Sequence, residues 1–234
     1  MTFSEPTLAS KYVDETILGR RSLRAFLPTA LPDALVRDII QVAGRAPSGT
    51  NTQPWHVYAT SGAKRQAICD EVLATLANPS ANAIQKAEYD YYPAQWISPF
   101  VDRRRKVGFD LYALLGLTRD NKAGMAAQGA RNFVFFDAPV GLFFTVDRIM
   151  GKGSWLDYGM FLQNIMLAAR ARGLDTCPQA AWCEYHAIIT QHLNIPESQM
   201  LVCGMALGYA DMDHVVNSFT TEREPVDSVL SFHK

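Results

Sequence analysis

The segment LGRRSLRAF places Arg20, Arg21, Ser22 and Arg24 within five residues. Guanidinium forks beside a hydroxyl suit a terminal phosphate, because each arginine can donate two parallel charge-assisted hydrogen bonds to it. About 25 residues further on, GRAPSGTNTQPWH (44–56) crowds Ser48, Thr50, Asn51 and Gln53 between two prolines, with no acid and no nucleophile beside a base. Neutral donors and acceptors in that density suit the edges of a flat heteroaromatic ring. A phosphate clamp followed by such a turn fits flavin mononucleotide (FMN), whose ring carries out the electron transfer and asks the protein for no acid–base pair.

Other chemistries lose support by their missing signatures. The chain contains no G-x-S-x-G, no H-E-x-x-H, no P-loop, and no complete G-x-G-x-x-G, since Gly151 and Gly153 lack a third glycine. Cys69, Cys177, Cys183 and Cys203 form no C-x-x-C pair and read as buried free thiols, with no metal site. The net charge of -1 and pI near 6.5 supply no bulk attraction to nucleic acid or to an anionic membrane. The basic run Arg103, Arg104, Arg105 and Lys106 reads as a solvated face. Gly204 and Gly208 read as close strand packing, Trp55 and Trp182 as core, and His56 as structural.

The elements that must position these groups follow from periodicity. With 48% hydrophobic and 19% charged residues over 234 positions, one large folded domain is expected. Residues 31–46 put Leu35, Ile39, Val42, Ala43 and Ala46 on one helical face behind Pro32. Residues 55–60 read as a strand, followed by a helix over 63–77 and an irregular, aromatic-rich excursion over 78–98. Helices are expected over 100–115 and 123–136. An apolar strand follows in APVGLFFTVD, then a long helix over 154–172 that Ser154 caps and Gly173 stops, a helix over 184–193, and a central strand in MLVCGMALGY. A flexible start over 1–10 and an aperiodic tail over 212–234 complete the chain. The N-terminus has no secretory pattern and nothing approaches about 18 consecutive apolar residues, so a cytoplasmic location is expected.

Five segments in order, RRSLRAF, APSGTNTQPW, GLDTCPQAAW, MLVCGMALGYAD and the arginine of FTTEREP, resemble the FMN-dependent nitroreductase family. The long YYPAQWISPFVDRRRKVGFDLYALLG insertion resembles its nitrobenzoate-reductase-like branch. The resemblance implies an α+β fold with a central, mostly antiparallel sheet flanked by long helices. It also implies a homodimer that exchanges terminal segments, the tail wrapping the partner, and holds FMN at the interface. Carried over, Arg20, Arg21, Ser22 and Arg223 would hold the phosphate, and Arg24 would approach the pyrimidine edge. Pro47, Ser48, Gly49 and Asn51 would come from the opposite subunit, and Pro178, Gln179 and Ala180 would lie over one ring face. The run PQAA stands where the family often has a glutamate, which alters the polarity expected there.

The function so implied is NADH- or NADPH-dependent reduction of nitroaromatic compounds to nitroso and hydroxylamine products, in two alternating half-reactions at one site. No catalytic side chain is expected, since the flavin carries the chemistry. Within the excursion over 78–120, the aromatics Tyr89, Tyr91, Tyr92, Trp96 and Phe100 are the expected substrate lid, Tyr92 and Trp96 foremost, because stacking recognises a flat acceptor. Two rival readings keep the same flavin. One uses another acceptor, through quinone or enone reduction, reductive dehalogenation or flavin cleavage, and the other is a flavin carrier with little turnover.

Overall fold

The computed structural model describes residues 7–234. Its order is helix α1 (Leu8–Gly19), α2 (Asp33–Ala43), strand β1 (His56–Ser61), α3 (Gly62–Ala77), the single turn α4 (Pro79–Asn82), α5 (Phe100–Leu114) and α6 (Lys122–Ala130). Then follow β2 (Val140–Asp147), α7 (Gly153–Arg170), β3 (Asp175–Gln179), α8 (His186–Leu193) and β4 (Gln199–Gly208). The strands form one sheet in the order β1-β2-β4-β3, every neighbouring pair antiparallel. This is the α+β architecture expected.

Both faces of the sheet are covered, which is why β2 and β4 read as unbroken apolar runs. On one face, Phe143 and Ala206 pack with Phe135, Trp182, Tyr185 and the α3 residues Ile68 and Val72. On the other, Leu142, Phe144, Met205 and Leu207 pack with Ile39 and Ala43 of α2 and with Tyr158, Phe161 and Ile165 of α7. Trp182 is fully buried among Phe133, Phe135 and Phe143, with ring centroids 4.5–5.4 Å apart. Each such pair adds about 0.5–1.5 kcal/mol beyond area burial. Trp55 stacks on Phe161 at 4.6 Å, and His56 Nε2 lies 3.1 Å from Asp147, so all three expected structural aromatics and imidazoles serve the scaffold.

Several boundaries differ from the sequence reading. α2 buries Val36, Ile39 and Ala43, while Val42 turns outward to 45% exposure, because the helix lies across the sheet slightly rotated from the expected face. The helix expected over 123–136 ends at Ala130. A 3-10 segment (Arg131–Asp137) follows in which Phe135, Phe136 and Asp137 have φ of 53°, 53° and 71°. Packing of Phe135 against Trp182 and over Gly141 overrides helical propensity there. α7 begins one residue before Ser154, which is buried inside it rather than capping it. Residues 180–185 form a 3-10 turn, and α8 starts only at His186, ending on left-handed Asn194. The flexible start expected over 1–10 lies partly on residues outside the described ones; from Leu8 the chain is helical, with Thr7 capping the Ser10 amide.

Gly204 faces the Trp182 ring so closely that an added methyl would overlap it. Gly204→Ala is expected to cost about 1–3 kcal/mol, read as a lower urea midpoint. Gly129→Ala, in α6 with nothing within 4 Å of its would-be Cβ, is expected to be neutral or to gain up to about 1 kcal/mol. Equal midpoints for the two variants would contradict this packing.

Candidate functional site

The arginine segment runs along the outer side of β3. Ser22 forms a parallel bridge with Thr176, and the Leu23 amide donates to the Thr176 carbonyl at 3.2 Å. Beyond it, Phe26 bridges Ala210. Two neighbours, Asn217 and Phe136, pin the main chain between these points. The Arg24 amide donates to Asn217 Oδ1 at 2.8 Å, and Asn217 Nδ2 donates to the carbonyls of Ala25 and Asp211, both at 2.8 Å. The Phe26 amide donates to the Phe136 carbonyl at 3.1 Å. Asn217 is wholly buried and holds the segment in place, a role no feature of its aperiodic surroundings announced.

Arg20, Arg21 and Arg24 are half-buried, yet no ion pair among the described residues involves any of them or Arg223. Arg21 donates to the carbonyl of Phe219 at 3.5 Å, Arg24 to that of Ser22 at 3.2 Å, and Arg223 to Thr221 Oγ1 at 2.6 Å. Asp175 on the neighbouring strand is engaged by Arg170 at 3.0 Å; burial pushes its carboxyl upward, and Arg170 opposes that shift. Partly desolvated arginines with no carboxylate partner favour a bound anion. The charge inventory of this edge therefore fits the phosphate end of FMN.

The turn 47–53 lies at the other side of the sheet, leading into β1. Thr50, Asn51 and Gln53 adopt φ of 49°, 59° and 48°. The backbone survives there because Gly49 donates its amide to both oxygens of Asp157 at 3.2 Å, and the Gln53 amide donates to Ser48 Oγ at 3.0 Å. Asp157, a buried acid in α7, is a second positioning residue the sequence did not single out.

A cavity of about 580 Å³ opens where α7 meets the end of β3. Its wall includes Pro178, Gln179 and Ala180, with Trp155, Gly159 and Leu162 of α7 and Tyr89 and Tyr91 of the excursion. Neither the arginine segment nor residues 47–51 lines it. Gln179 is buried, its Nε2 donating to the Asn132 carbonyl at 2.7 Å while its Oε1 accepts from Trp182 at 3.4 Å. Its side chain is thus committed to the fold. Of the excursion's aromatics, Tyr92 and Trp96 lie outside the wall, their rings 5.4 Å apart beneath the Arg104 guanidinium. Tyr89 takes the inner place, its hydroxyl donating to the Val202 carbonyl at 2.5 Å and its ring 4.5 Å from Trp155.

The cavity's buried hydroxyls and thiol stay protonated and neutral near neutral pH. Burial pushes the Tyr89 and Tyr158 phenols above the ordinary tyrosine value and the Cys203 thiol above the ordinary cysteine value. Cys177, beneath the arginine segment, is likewise pushed up to about 11 by burial. Among the described residues no group of three His, Cys, Asp or Glu could hold a metal, and no helix is long and apolar enough to cross a membrane.

The antiparallel sheet, an arginine edge without ion pairs, a strained polar turn and an aromatic-walled cavity together make up the candidate site of this α+β protein. The chain belongs to the Nitroreductase family, which it matches over residues 17–209. It is 40% identical over 219 residues to a 4-nitrobenzoate reductase of Pseudomonas putida, covering 94% of each chain. Over 223 residues it is 40% identical to a chloronitrobenzene nitroreductase of Comamonas testosteroni, covering 95% of this chain and 97% of that one. The crystal structure of the FMN and NADPH-dependent nitroreductase NfnB from Sphigopyxis sp. strain HMH is similar at a TM-score of 0.91 and 39% identity, covering 95% of this chain and 99% of the other.

Replacing Asn217 by Ala removes three hydrogen bonds from a buried site and leaves the Arg24 amide without its acceptor. A loss of about 1–3 kcal/mol in unfolding free energy is expected, together with faster amide exchange at Arg24. Native-like exchange at Arg24 in the variant would contradict the assigned role.

Proposed function

We propose that the protein is an FMN-dependent NAD(P)H oxidoreductase that reduces nitroaromatic compounds to nitroso and hydroxylamine products. The observation that carries this reading is the β3 edge, where three half-buried arginines make no ion pair and the one acid beside them, Asp175, is paired with Arg170. The relatives' names, given to reductases of nitrobenzoate and chloronitrobenzene, support the acceptor class. Bound FMN would supply the electron transfer between nicotinamide and nitro group that the chain's own side chains do not.

Each residue group then has a distinct task. Arg20, Arg21 and Ser22 would hold the phosphate, with Arg223 reaching it from the tail. Arg24, anchored through its own amide by Asn217, would place a cation at the pyrimidine edge, where negative charge accumulates in the reduced ring. Pro178 has no N–H, so it offers no donor along the free edge of β3, and after the Gln179–Gly204 pair the strand ends, so Pro178, Gln179 and Ala180 would lie along a ring face. Pro47, Ser48, Gly49 and Asn51 sit on the strained turn held by Asp157 and would complete the site from a second subunit.

Surface chemistry supports that second subunit. α1 buries none of its residues in its own chain, yet carries exposed Leu8, Tyr12, Val13, Ile17 and Leu18. α7 exposes Leu156, and the tail exposes Val226, Val229, Leu230 and Phe232. Apolar surface of this extent marks an association face. Residues up to Glu224 lie on their own chain, Asn217 buried and Glu224 paired with Arg103, so a wrapping segment would start at Pro225. Tyr89, Tyr91 and Trp155 would flank the aromatic acceptor in the cavity, with Tyr92 and Trp96 outside them.

One shared site for donor and acceptor predicts alternating binding. Initial rates varied in NADPH and 4-nitrobenzoate are expected to give parallel double-reciprocal lines, with the hydroxylamine as product. Intersecting lines would require both substrates to be bound together and contradict the shared site. Absence of turnover would leave a flavin carrier.

A further inference from the structure

The basic run of α5 reads from the sequence as a solvated face, but three of its four members are engaged. Arg103 Nη2 lies 2.9 Å from Glu224 Oε1, and Lys106 Nζ lies 3.3 Å from Glu222 Oε1. Arg104 stacks over Trp96 at 4.7 Å and over Tyr92 at 5.5 Å. Arg103 and Lys106 stand three apart on the helix and so share a face. Their two glutamates flank Arg223 on either side, the tail residue assigned above to the phosphate.

We propose that α5 is a clasp that presents Arg223 to the phosphate of FMN, with Arg103 and Lys106 as positioning residues for flavin affinity. The inference rests on the phosphate reading of Arg223. Two physical effects give it content. No regular element covers residues 219–225, so the tail next to Arg223 has no backbone ladder to hold it, and the two ion pairs supply that hold. The second effect is charge. Carboxylates adjacent to Arg223 would repel a phosphate and compete for the guanidinium, and pairing them with α5 offsets that charge. Arg223 is left with neutral partners only, Thr221 Oγ1 at 2.6 Å and the Glu222 carbonyl at 2.8 Å, which a phosphate can displace.

The two arms differ in strength. Lys106 is shared with Asp110 at 2.6 Å, and hydrogen bonds to Asp110 and then Glu222 hold its ammonium above the ordinary lysine value. Arg103 is committed to Glu224 alone, apart from the Phe100 ring 5.9 Å from its guanidinium carbon. The Arg103 arm is therefore the better one to break. Through Arg104 the same helix is tied to Tyr92 and Trp96, so the clasp joins the aromatic excursion to the tail.

The test separates phosphate grip from general loosening by comparing FMN with riboflavin, which lacks the phosphate. Full-length protein stripped of flavin is titrated with each, following quenching of flavin fluorescence. Arg103→Glu is expected to weaken FMN binding about fivefold, as an exposed pair replaced by a like-charge contact should, with riboflavin affinity unchanged. Lys106→Glu should do less, and the swap Arg103→Glu with Glu224→Arg should restore FMN affinity. Equal weakening of both flavins, or no change in either while Arg223→Ala weakens FMN alone, would overturn the clasp. If Arg223→Ala leaves FMN affinity intact, the phosphate reading falls and the clasp falls with it.

Discussion

Both faces of the four-stranded sheet are buried, and that single constraint decides where anything polar can be. Phe143 and Ala206 point to one core while Leu142, Phe144, Met205 and Leu207 point to the other, so β2 and β4 are given over to packing, apart from Val202 and Cys203 in the cavity wall. The polar groups of the candidate site come from the two edges. β3 lends its edge to the arginine segment through Ser22 and Thr176, and β1 is entered through the strained turn at 47–53. α7 lies against the sheet and serves both edges: Asp157 fixes the turn, while Trp155, Gly159 and Leu162 form the cavity wall beside Pro178.

The electrostatic consequence is an asymmetric molecule with an almost neutral total. A net charge of -1 hides a local concentration of arginines whose neighbouring acid, Asp175, is already taken by Arg170. Selectivity for a phosphorylated ring thus needs no basic protein, only cations kept away from carboxylates. The same logic recurs at the tail, where Glu222 and Glu224 are drawn toward α5 and leave Arg223 with neutral oxygens.

Much of this was legible in the sequence, for identifiable reasons. The two central strands are long apolar runs, and α3, α5 and α7 are long periodic segments, so their types were readable and their ends only approximately so. β3 was not readable as a strand, because it has five residues and contains a proline, tolerable only since it lies on an edge. The break after Ala130 was invisible for a different reason: left-handed Phe135 is held by stacking on Trp182, a residue distant in sequence, and by close packing over Gly141. Within the candidate site, the arginines and the polar turn stood out by composition. Asn217 and Asp157 did not, since their roles come from tertiary hydrogen bonds that no local pattern encodes.

The central claim is that the arginine segment along β3, whose guanidiniums make no ion pair within the chain, holds a flavin that passes electrons from a nicotinamide to a nitro group. An anaerobic titration of the purified protein, followed by its visible absorbance, tests this most directly. The account predicts yellow protein whose flavin bands bleach with one equivalent of NADPH or NADH and return on addition of 4-nitrobenzoate. A colourless protein that FMN cannot reconstitute would contradict the account at the site itself, and bleached flavin that the nitro compound fails to reoxidise would contradict the assigned acceptor.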